Sequence, residues 1–172
     1  MRRIGWRDTG QSGRRWRQGI AALLLAALLA ACGGDDDAAQ GSAPALSLTD
    51  RLARYEASLL AETNWLWANM LYAQDHSRPD AARCALPDFD HQPVVLSETE
   101  REQDSAVATL DQLTYADTLL AQARAEWQAH CEGAVPSANA AAYLKSRLEP
   151  AYSALERARA GIEARRRVEA RG

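Results

Sequence analysis

Hydrophobic residues recur at intervals of three and four positions over most of the chain from Leu48 onward, which is the period of an α-helix. Thr49 and Asp50 offer side-chain oxygens that can cap the start of such a helix. The stripe comprises Leu48, Leu52, Tyr55, Leu59, Thr63, Leu66, Met70 and Ala73. It predicts a first long helix that ends near Asp75.

Two further helical stripes follow a long interruption. Ser97 and Glu100 have the spacing of a capping box, which predicts a second helix from Ser97 to Cys131. Its inward stripe is Ala106, Leu110, Leu113, Asp117, Leu120, Arg124, Trp127 and Cys131. Ser137 is expected to cap a third helix, with a heptad stripe of Leu144, Leu148, Ala151, Leu155, Ala158 and Ile162. Pro150 lies inside this third pattern and predicts a kink or a split there, because proline lacks an N–H group.

The three stripes predict an all-α fold, namely an elongated antiparallel three-helix bundle over residues 46–172. The many alanines on them allow the helices to approach closely but limit the volume of the core. Between the first two helices, residues 76–96 show no sustained period and contain three prolines. A loop of this length is unusual in a compact domain and is often functional.

The first 31 residues have a different pattern. Six arginines and a single acid, Asp8, come first, and an apolar run follows from Ile20 to Ala31. This order is typical of an export signal. The run has about half of the roughly 20 residues that a transmembrane helix needs. It ends in Leu29-Ala30-Ala31-Cys32, which resembles the lipobox of bacterial lipoproteins.

The resemblance to bacterial lipoproteins implies a processing route. The signal peptide, residues 1–31, would be removed, and Cys32 would carry acyl chains such as palmitate that anchor the protein in a membrane. Residues 32–45 would form a flexible tether, because they hold too little apolar surface to order themselves. Gly33 in place of an aspartate implies the outer membrane, with the domain facing the periplasm. The alternative is an ordinary secretory signal with an incidental cysteine.

The charge balance changes once the signal is taken away. Removing its six arginines and one aspartate from the 20 basic and 23 acidic residues leaves 14 and 22, a net charge of −8. Such a surface repels nucleic acid and anionic lipid headgroups, so neither is expected as a partner. Basic proteins or peptides would be attracted to it.

Two cysteines remain beyond Cys32, and an even pair in an oxidising compartment predicts a disulfide between Cys84 and Cys131. A straight helix from Ser97 to Cys131 would be about 51 Å long. The chain from Cys84 to Ser97 spans at most ~45 Å. The bridge therefore requires a nearly taut loop, or a second helix that begins late or bends.

The three histidines, His76, His91 and His130, lie close to these cysteines in the sequence. With nearby aspartates they raise the hypothesis of metal capture. No pair has a spacing such as His-x-x-x-His, so solvated histidines are the favoured interpretation, and no metal or other cofactor is expected.

Trp65 and Tyr72 lie seven residues apart on the face of the first helix opposite its core stripe. Exposed aromatic side chains of this kind are candidate partner-binding residues. The favoured alternative is that apolar side chains of the long loop pack over them, namely Leu86, Pro87, Phe89, Val94 and Val95.

Polar residues on the helical stripes suggest structure rather than catalysis. Asp117 is expected to pair with Arg124 or Arg147 and to set the helix register. No Ser/His/Asp spacing, phosphate loop or paired catalytic carboxylates is present in the sequence. We therefore do not expect an enzyme.

The leading hypothesis is a lipid-anchored, non-enzymatic module that binds another envelope protein or helps an assembly. An alternative comes from residues 120–127 together with Cys131, which resemble the Ala-Gln, Ala-Trp and Cys stretch of periplasmic lysozyme-inhibitor lipoproteins. That resemblance implies inhibition of a basic cell-wall enzyme. Metal capture by the histidine- and acid-rich loop is the third hypothesis.

Overall fold

The computed structural model describes residues 46–171. This part of the chain contains five helices and no strand: α1 (Leu48–Asp75), α2 (Ala81–Cys84), α3 (Glu98–Arg101), α4 (Asp104–Cys131) and α5 (Ser137–Glu169). The long helices α1, α4 and α5 pack against one another around one hydrophobic core. The predicted all-α bundle is confirmed. Cys32, the signal segment and the tether lie outside the described residues.

Helix α1 has the predicted bounds, and its buried side chains include the whole predicted stripe. Its N-cap is Ser47 rather than Thr49 or Asp50, since the Ser47 hydroxyl accepts a hydrogen bond from the Asp50 amide at 3.1 Å. Thr49 is instead buried and donates to Glu169 at 2.6 Å. The C-terminal end of α5 therefore meets the N-terminal end of α1.

The direction of the helices differs from the prediction for one pair. Tyr55 contacts Asp117 and Glu62 contacts Arg124, and both pairs are 62 residues apart. Because the partners advance together, α1 and α4 run in the same direction. The contacts of α5 with α1 advance in opposite directions, as Glu56–Arg159 shows beside the Thr49–Glu169 bond. The bundle is therefore antiparallel only where α5 packs.

The long loop explains how two parallel helices can follow each other in the chain. After α2, residues 85–97 contain no helix and return to the N-terminal end of α1. Val94 and Leu96 are buried in the core there, and Arg51 Nη1 donates to the Val95 carbonyl at 3.0 Å. The loop thus occupies the space along α1 and α4 instead of forming a tight turn.

The second predicted helix is interrupted near its start. The capping box of Ser97 and Glu100 is present, but it caps only the four-residue helix α3. Gln103 adopts an extended conformation, and α4 begins at Asp104. Helix α4 therefore measures about 40 Å between its ends, and its late start is one of the conditions that the disulfide was expected to require.

Helix α5 continues through Pro150, so the expected split does not occur. Proline inside a helix costs roughly 3 kcal/mol. Leu148 and Leu155 on either side are buried in the core, and each contributes about 1.5–3 kcal/mol. Burial of the flanking residues offsets the missing hydrogen bond.

Helices α4 and α5 are in close contact at Gly161. A Cβ atom placed on Gly161 would lie 2.3 Å from Oγ1 of Thr109, which is buried. The same Thr109 hydroxyl donates a hydrogen bond to the Ser105 carbonyl at 2.7 Å, which fixes its position. Only glycine fits at this crossing. None of the helices within residues 46–171 has the length and hydrophobicity of a membrane span.

Candidate functional site

The long loop is fastened to the bundle at its start. Cys84 and Cys131 form the predicted disulfide, with Cα atoms 5.7 Å apart. Beside it, Trp127 Nε1 donates to the Arg83 carbonyl at 3.0 Å. The Arg83 guanidinium donates to the buried Asn69 Oδ1 at 3.2 Å. Helix α2 is therefore fixed to α4 by a covalent bond and to α1 by side-chain contacts.

Trp65 and Tyr72 are half-buried beneath this loop. Phe89 packs on Trp65 with ring centroids 6.0 Å apart, and the Arg83 guanidinium lies 4.0 Å from the centre of the Tyr72 ring. The His76 ring stacks on the Tyr72 ring, with ring centroids 3.9 Å apart. Of the apolar loop residues expected to cover them, Phe89 packs on Trp65, whereas Tyr72 is contacted by Arg83 and His76, and Val95 is 74% exposed. A partner-binding role for Trp65 and Tyr72 stays a prediction.

The middle of α1 carries a fully buried carboxylate, Glu62, with 0% of its side chain exposed. Arg124 holds it in a bidentate pair, since Nε donates to Oε1 at 2.6 Å and Nη2 donates to Oε2 at 2.7 Å. These hydrogen bonds are the main reason that the pKa of Arg124 is raised. A buried charge requires such a partner because desolvation otherwise penalises it heavily.

Asp117 lies at the rim of this site rather than in the core. Its Oδ2 accepts a hydrogen bond from the Tyr55 hydroxyl at 2.7 Å. Burial, followed by that bond, raises the pKa of Tyr55 well above its usual range. The expected hydrogen-bond partners of Asp117, Arg124 and Arg147, are therefore wrong. The reason is that Tyr55 on α1 faces it and Arg124 is engaged by Glu62.

His91 of the loop lies between the two carboxylates. Its Nε2 is 3.0 Å from Glu62 Oε2, and its Nδ1 is 3.6 Å from Asp117 Oδ1. The first contact is an ion-pair contact that lacks hydrogen-bond alignment. Only 17% of the His91 side chain is exposed. Tyr55, Glu62, His91, Asp117 and Arg124 thus form one connected group, the polar network.

The histidines do not share one environment. His76 is exposed, but His91 is largely enclosed, and His130 is buried on α4 with Nδ1 2.7 Å from the Val135 carbonyl. The interpretation of solvated histidines is therefore wrong for His91 and His130. The structure does not bring the three together. Within residues 46–171, no three acidic, histidine or cysteine side chains are placed to hold a metal ion.

The outer surface of the loop forms a tip over residues 86–90, called the loop tip below. The Asp90 amide donates to Asp88 Oδ1 at 3.0 Å, which closes a tight turn. Asp90 has a φ of 46° there, a left-handed conformation that aspartate tolerates. Leu86 is 37% exposed. A shallow pocket of about 200 Å³ lies between the tip, His91 and Arg124. The tip therefore presents apolar surface beside two carboxylates.

Residues 120–127, which carry the resemblance to lysozyme inhibitors, lie within α4. Leu120, Ala123 and Trp127 are buried, and Cys131 is engaged in the disulfide. The stretch therefore has one buried face, while Ala121, Gln122 and Ala125 are exposed. Comparison with protein-family models, with curated proteins and with solved structures found no match to this chain.

Proposed function

We propose that this protein is a lipid-anchored, non-enzymatic binding module of the bacterial envelope, and that the loop tip is its recognition surface. The observation that carries the proposal is the fastening of an irregular loop on both sides of an exposed tip. Cys84 is bonded to α4 before the tip, and His91 lies between two carboxylates after it. A loop ordered before binding loses less conformational freedom on association.

The chemistry of the tip favours a basic partner. Leu86 and Pro87 offer apolar contact area, and Asp88 and Asp90 add two exposed carboxylates within the same short segment. The charge of −8 after removal of residues 1–31 also favours a basic partner. A negative surface accelerates association with positively charged proteins and disfavours binding of acidic proteins. A basic envelope protein fits both features.

The polar network supports a structural role rather than catalysis. Glu62 and Arg124 direct their hydrogen-bonding groups at each other, and the Tyr55 hydroxyl is engaged by Asp117. A catalytic acid or nucleophile needs to reach a substrate atom directly or through one water molecule. Groups occupied in this way serve to position the loop.

The proposal is tested by site-specific photo-crosslinking in cells, with the photoreactive residue at Leu86. The matched control places it at Tyr152 on α5, which is 44% exposed against 37% for Leu86. We expect a discrete crosslinked product from Leu86 alone, and its loss when Asp88→Asn and Asp90→Asn are combined. Equal products from both positions, or a product indifferent to the two charges, would contradict the proposal.

Inhibition of lysozyme by the purified protein would identify one basic partner. The measurement compares the wild-type chain with the Asp88→Asn/Asp90→Asn variant at micromolar concentrations. Inhibition that depends on the two carboxylates would make the protein an inhibitor that acts through the loop tip. Absence of inhibition would remove that candidate and leave the binding module intact.

The anchor is tested separately, at Cys32. Replacement by serine removes the thiol that receives the lipid, so the Cys32→Ser variant is expected to accumulate as an unprocessed precursor. Normal maturation and detergent-phase partitioning of this variant would refute the lipoprotein assignment. Sucrose-gradient fractionation of the wild-type protein then distinguishes the outer from the inner membrane.

A further inference from the structure

We propose that the end of the bundle at which α1 begins rests on the surface of a phospholipid bilayer, so that the folded domain contacts the membrane as well as the lipid chains do. The inference deepens the proposed function, because it rests on the lipid anchor at Cys32. It does not depend on recognition by the loop tip. The end in question comprises residues 46–54, 94–105 and 163–171 and is called the anchor end below.

Three segments that are distant in the sequence meet at the anchor end. The hydrogen bond between Thr49 and Glu169 joins the start of α1 to the end of α5. Arg51 donates to the Val95 carbonyl at 3.0 Å, which joins α1 to the end of the long loop. Arg165 Nη2 donates to the side chain of the N-cap residue of α4 at 3.0 Å. These contacts make one end face of the bundle.

The anchor end presents apolar side chains to the solvent. Val95 is 74% exposed and Val168 is 71% exposed, the two highest values among the large hydrophobic residues within 46–171. Leu46, directly before α1, is 42% exposed. Apolar side chains gain free energy when they enter the boundary between the headgroups and the acyl chains of a bilayer. The placement of all three residues at this end therefore suits contact with lipid.

The charges at the anchor end differ from those of the rest of the domain. Its three ranges contain seven arginines and seven acidic residues, whereas the other described residues include seven basic and twelve acidic ones. The repulsion of anionic lipid headgroups that the overall negative charge predicts therefore originates elsewhere in the molecule. Arg166, Arg167 and Arg171 are exposed. Their guanidinium groups have the geometry to bind lipid phosphates.

The place where the chain enters the bundle directs the anchor end toward the membrane. Residues 32–45 link the proposed lipid anchor to Leu46, and 14 residues span at most about 50 Å. Helix α1 is itself about 40 Å long, so the opposite end could face the bilayer only if this link were almost fully stretched. With the anchor end on the bilayer, Trp65 lies about 25 Å along α1 from the start of the helix. The loop tip packs on Trp65 through Phe89 and therefore stands clear of the headgroups.

Fluorescence of the full-length protein, purified from bacterial membranes and reconstituted into vesicles, tests the contact. The vesicles contain phosphatidylethanolamine, phosphatidylglycerol and a spin-labelled phospholipid that quenches fluorescence. An environment-sensitive fluorescent amino acid replaces Val168, and the matched control replaces Leu71, which is 48% exposed near the other end of α1. On reconstitution we expect a shift to shorter wavelength and quenching by lipid at position 168, and neither change at position 71. Equal quenching at both positions would overturn the inference.

Paired charge reversals distinguish contact with lipid from a general effect of charge. Arg166→Glu/Arg167→Glu reverses two exposed cations at the anchor end and should lower the quenching at position 168 toward the level at position 71. The control Arg78→Glu/Lys145→Glu makes the same change in net charge at the opposite end of the bundle, where both side chains are exposed. It should leave the quenching unchanged. Equal quenching in the two double variants would contradict the inference.

The remaining outcomes separate the contact from the anchor. A shift at position 168 without quenching by the spin-labelled lipid would mean that another protein molecule covers this end, which overturns the inference. Protein that stays with the vesicles while its probe at position 168 is unaffected would refute the contact alone. Protein that does not stay with the vesicles would refute the lipid anchor, and the inference with it.

Discussion

Helices α4 and α5 pack together differently from helices α1 and α4. The space between α1 and α4 that the long loop occupies is called the groove below. Helices α4 and α5 are joined by a short connection over residues 132–136, and they approach until Gly161 touches Thr109. Helices α1 and α4 run in parallel, and the loop that joins them packs along both. Charged groups, Glu62 and Arg124, bridge this second contact.

The two contacts differ in how they respond to the surroundings. Contacts between small apolar residues depend on shape and have no ionisable partner that pH can change. The groove depends on an ion pair, an enclosed histidine and a disulfide, and the disulfide can be reduced. The bundle can therefore keep its helices in place while reduction releases the loop.

The largest expected effect comes from removing one member of the buried ion pair. Arg124→Met leaves Glu62 buried without its bidentate partner, and we expect a loss of about 3 kcal/mol or more in the free energy of unfolding. Denaturation in urea measures it. Adding Glu62→Leu removes the stranded charge and should restore most of the stability. A single variant within about 1 kcal/mol of the wild type would show that the groove does not depend on the pair.

Removal of the disulfide is the next largest change. The double variant Cys84→Ser/Cys131→Ser removes a bridge between cysteines 47 positions apart in the sequence. The free energy of unfolding should fall by about 2–4 kcal/mol. The freed loop exposes Trp65, so tryptophan emission should shift to the red while the helical circular dichroism stays nearly constant. Addition of a reductant to this variant serves as the control and should change nothing. Unchanged emission would mean that the loop stays over Trp65 without the bridge.

A smaller effect is expected at the crossing of α4 and α5. Gly161→Ala adds a methyl group where Thr109 Oγ1 would lie 2.3 Å away, and overpacking should cost about 1–3 kcal/mol. Helix propensity alone predicts the opposite sign, a gain of about 1 kcal/mol. Thr109→Ala in the same chain removes the obstructing oxygen and should recover the loss. A stabilised single variant would show that α5 shifts at little cost.

The smallest effect concerns the hydrogen bond at the rim of the groove. Tyr55→Phe removes the donor to Asp117 and should cost about 1 kcal/mol at neutral pH. Since the pKa of Tyr55 is raised in the folded protein, its contribution to stability is present below the unfolded value and is lost as pH rises above about 10. The loss of stability between neutral and strongly alkaline pH should therefore be smaller in Tyr55→Phe. Equal losses in both proteins would rule out this role of Tyr55.

The sequence predicted the bounds of α1 because its apolar stripe is unbroken, and it predicted the disulfide with three alternative conditions, of which a late start of α4 is one that the structure shows. It did not predict the direction of α4, since periodicity identifies the buried face of a helix but not the end from which the chain enters. Glu62 was missed for a related reason. An acid beside the stripe is typical of a solvated face, and its partner Arg124 lies 62 residues away. The enclosure of His91 depends on the same long-range contact.

The parallel pairing of α1 and α4 determines the order in which the chain can fold. Helices α4 and α5 are neighbours in the sequence, so they can form a hairpin early from local contacts. Helix α1 meets α5 through residues that are distant in the sequence, 103 positions apart for Glu56–Arg159 and 120 for Thr49–Glu169. Synthesis delivers α1 first, yet its larger partner helix, α5, is synthesised last. Part of the apolar stripe of α1 must therefore stay uncovered until α5 has been made.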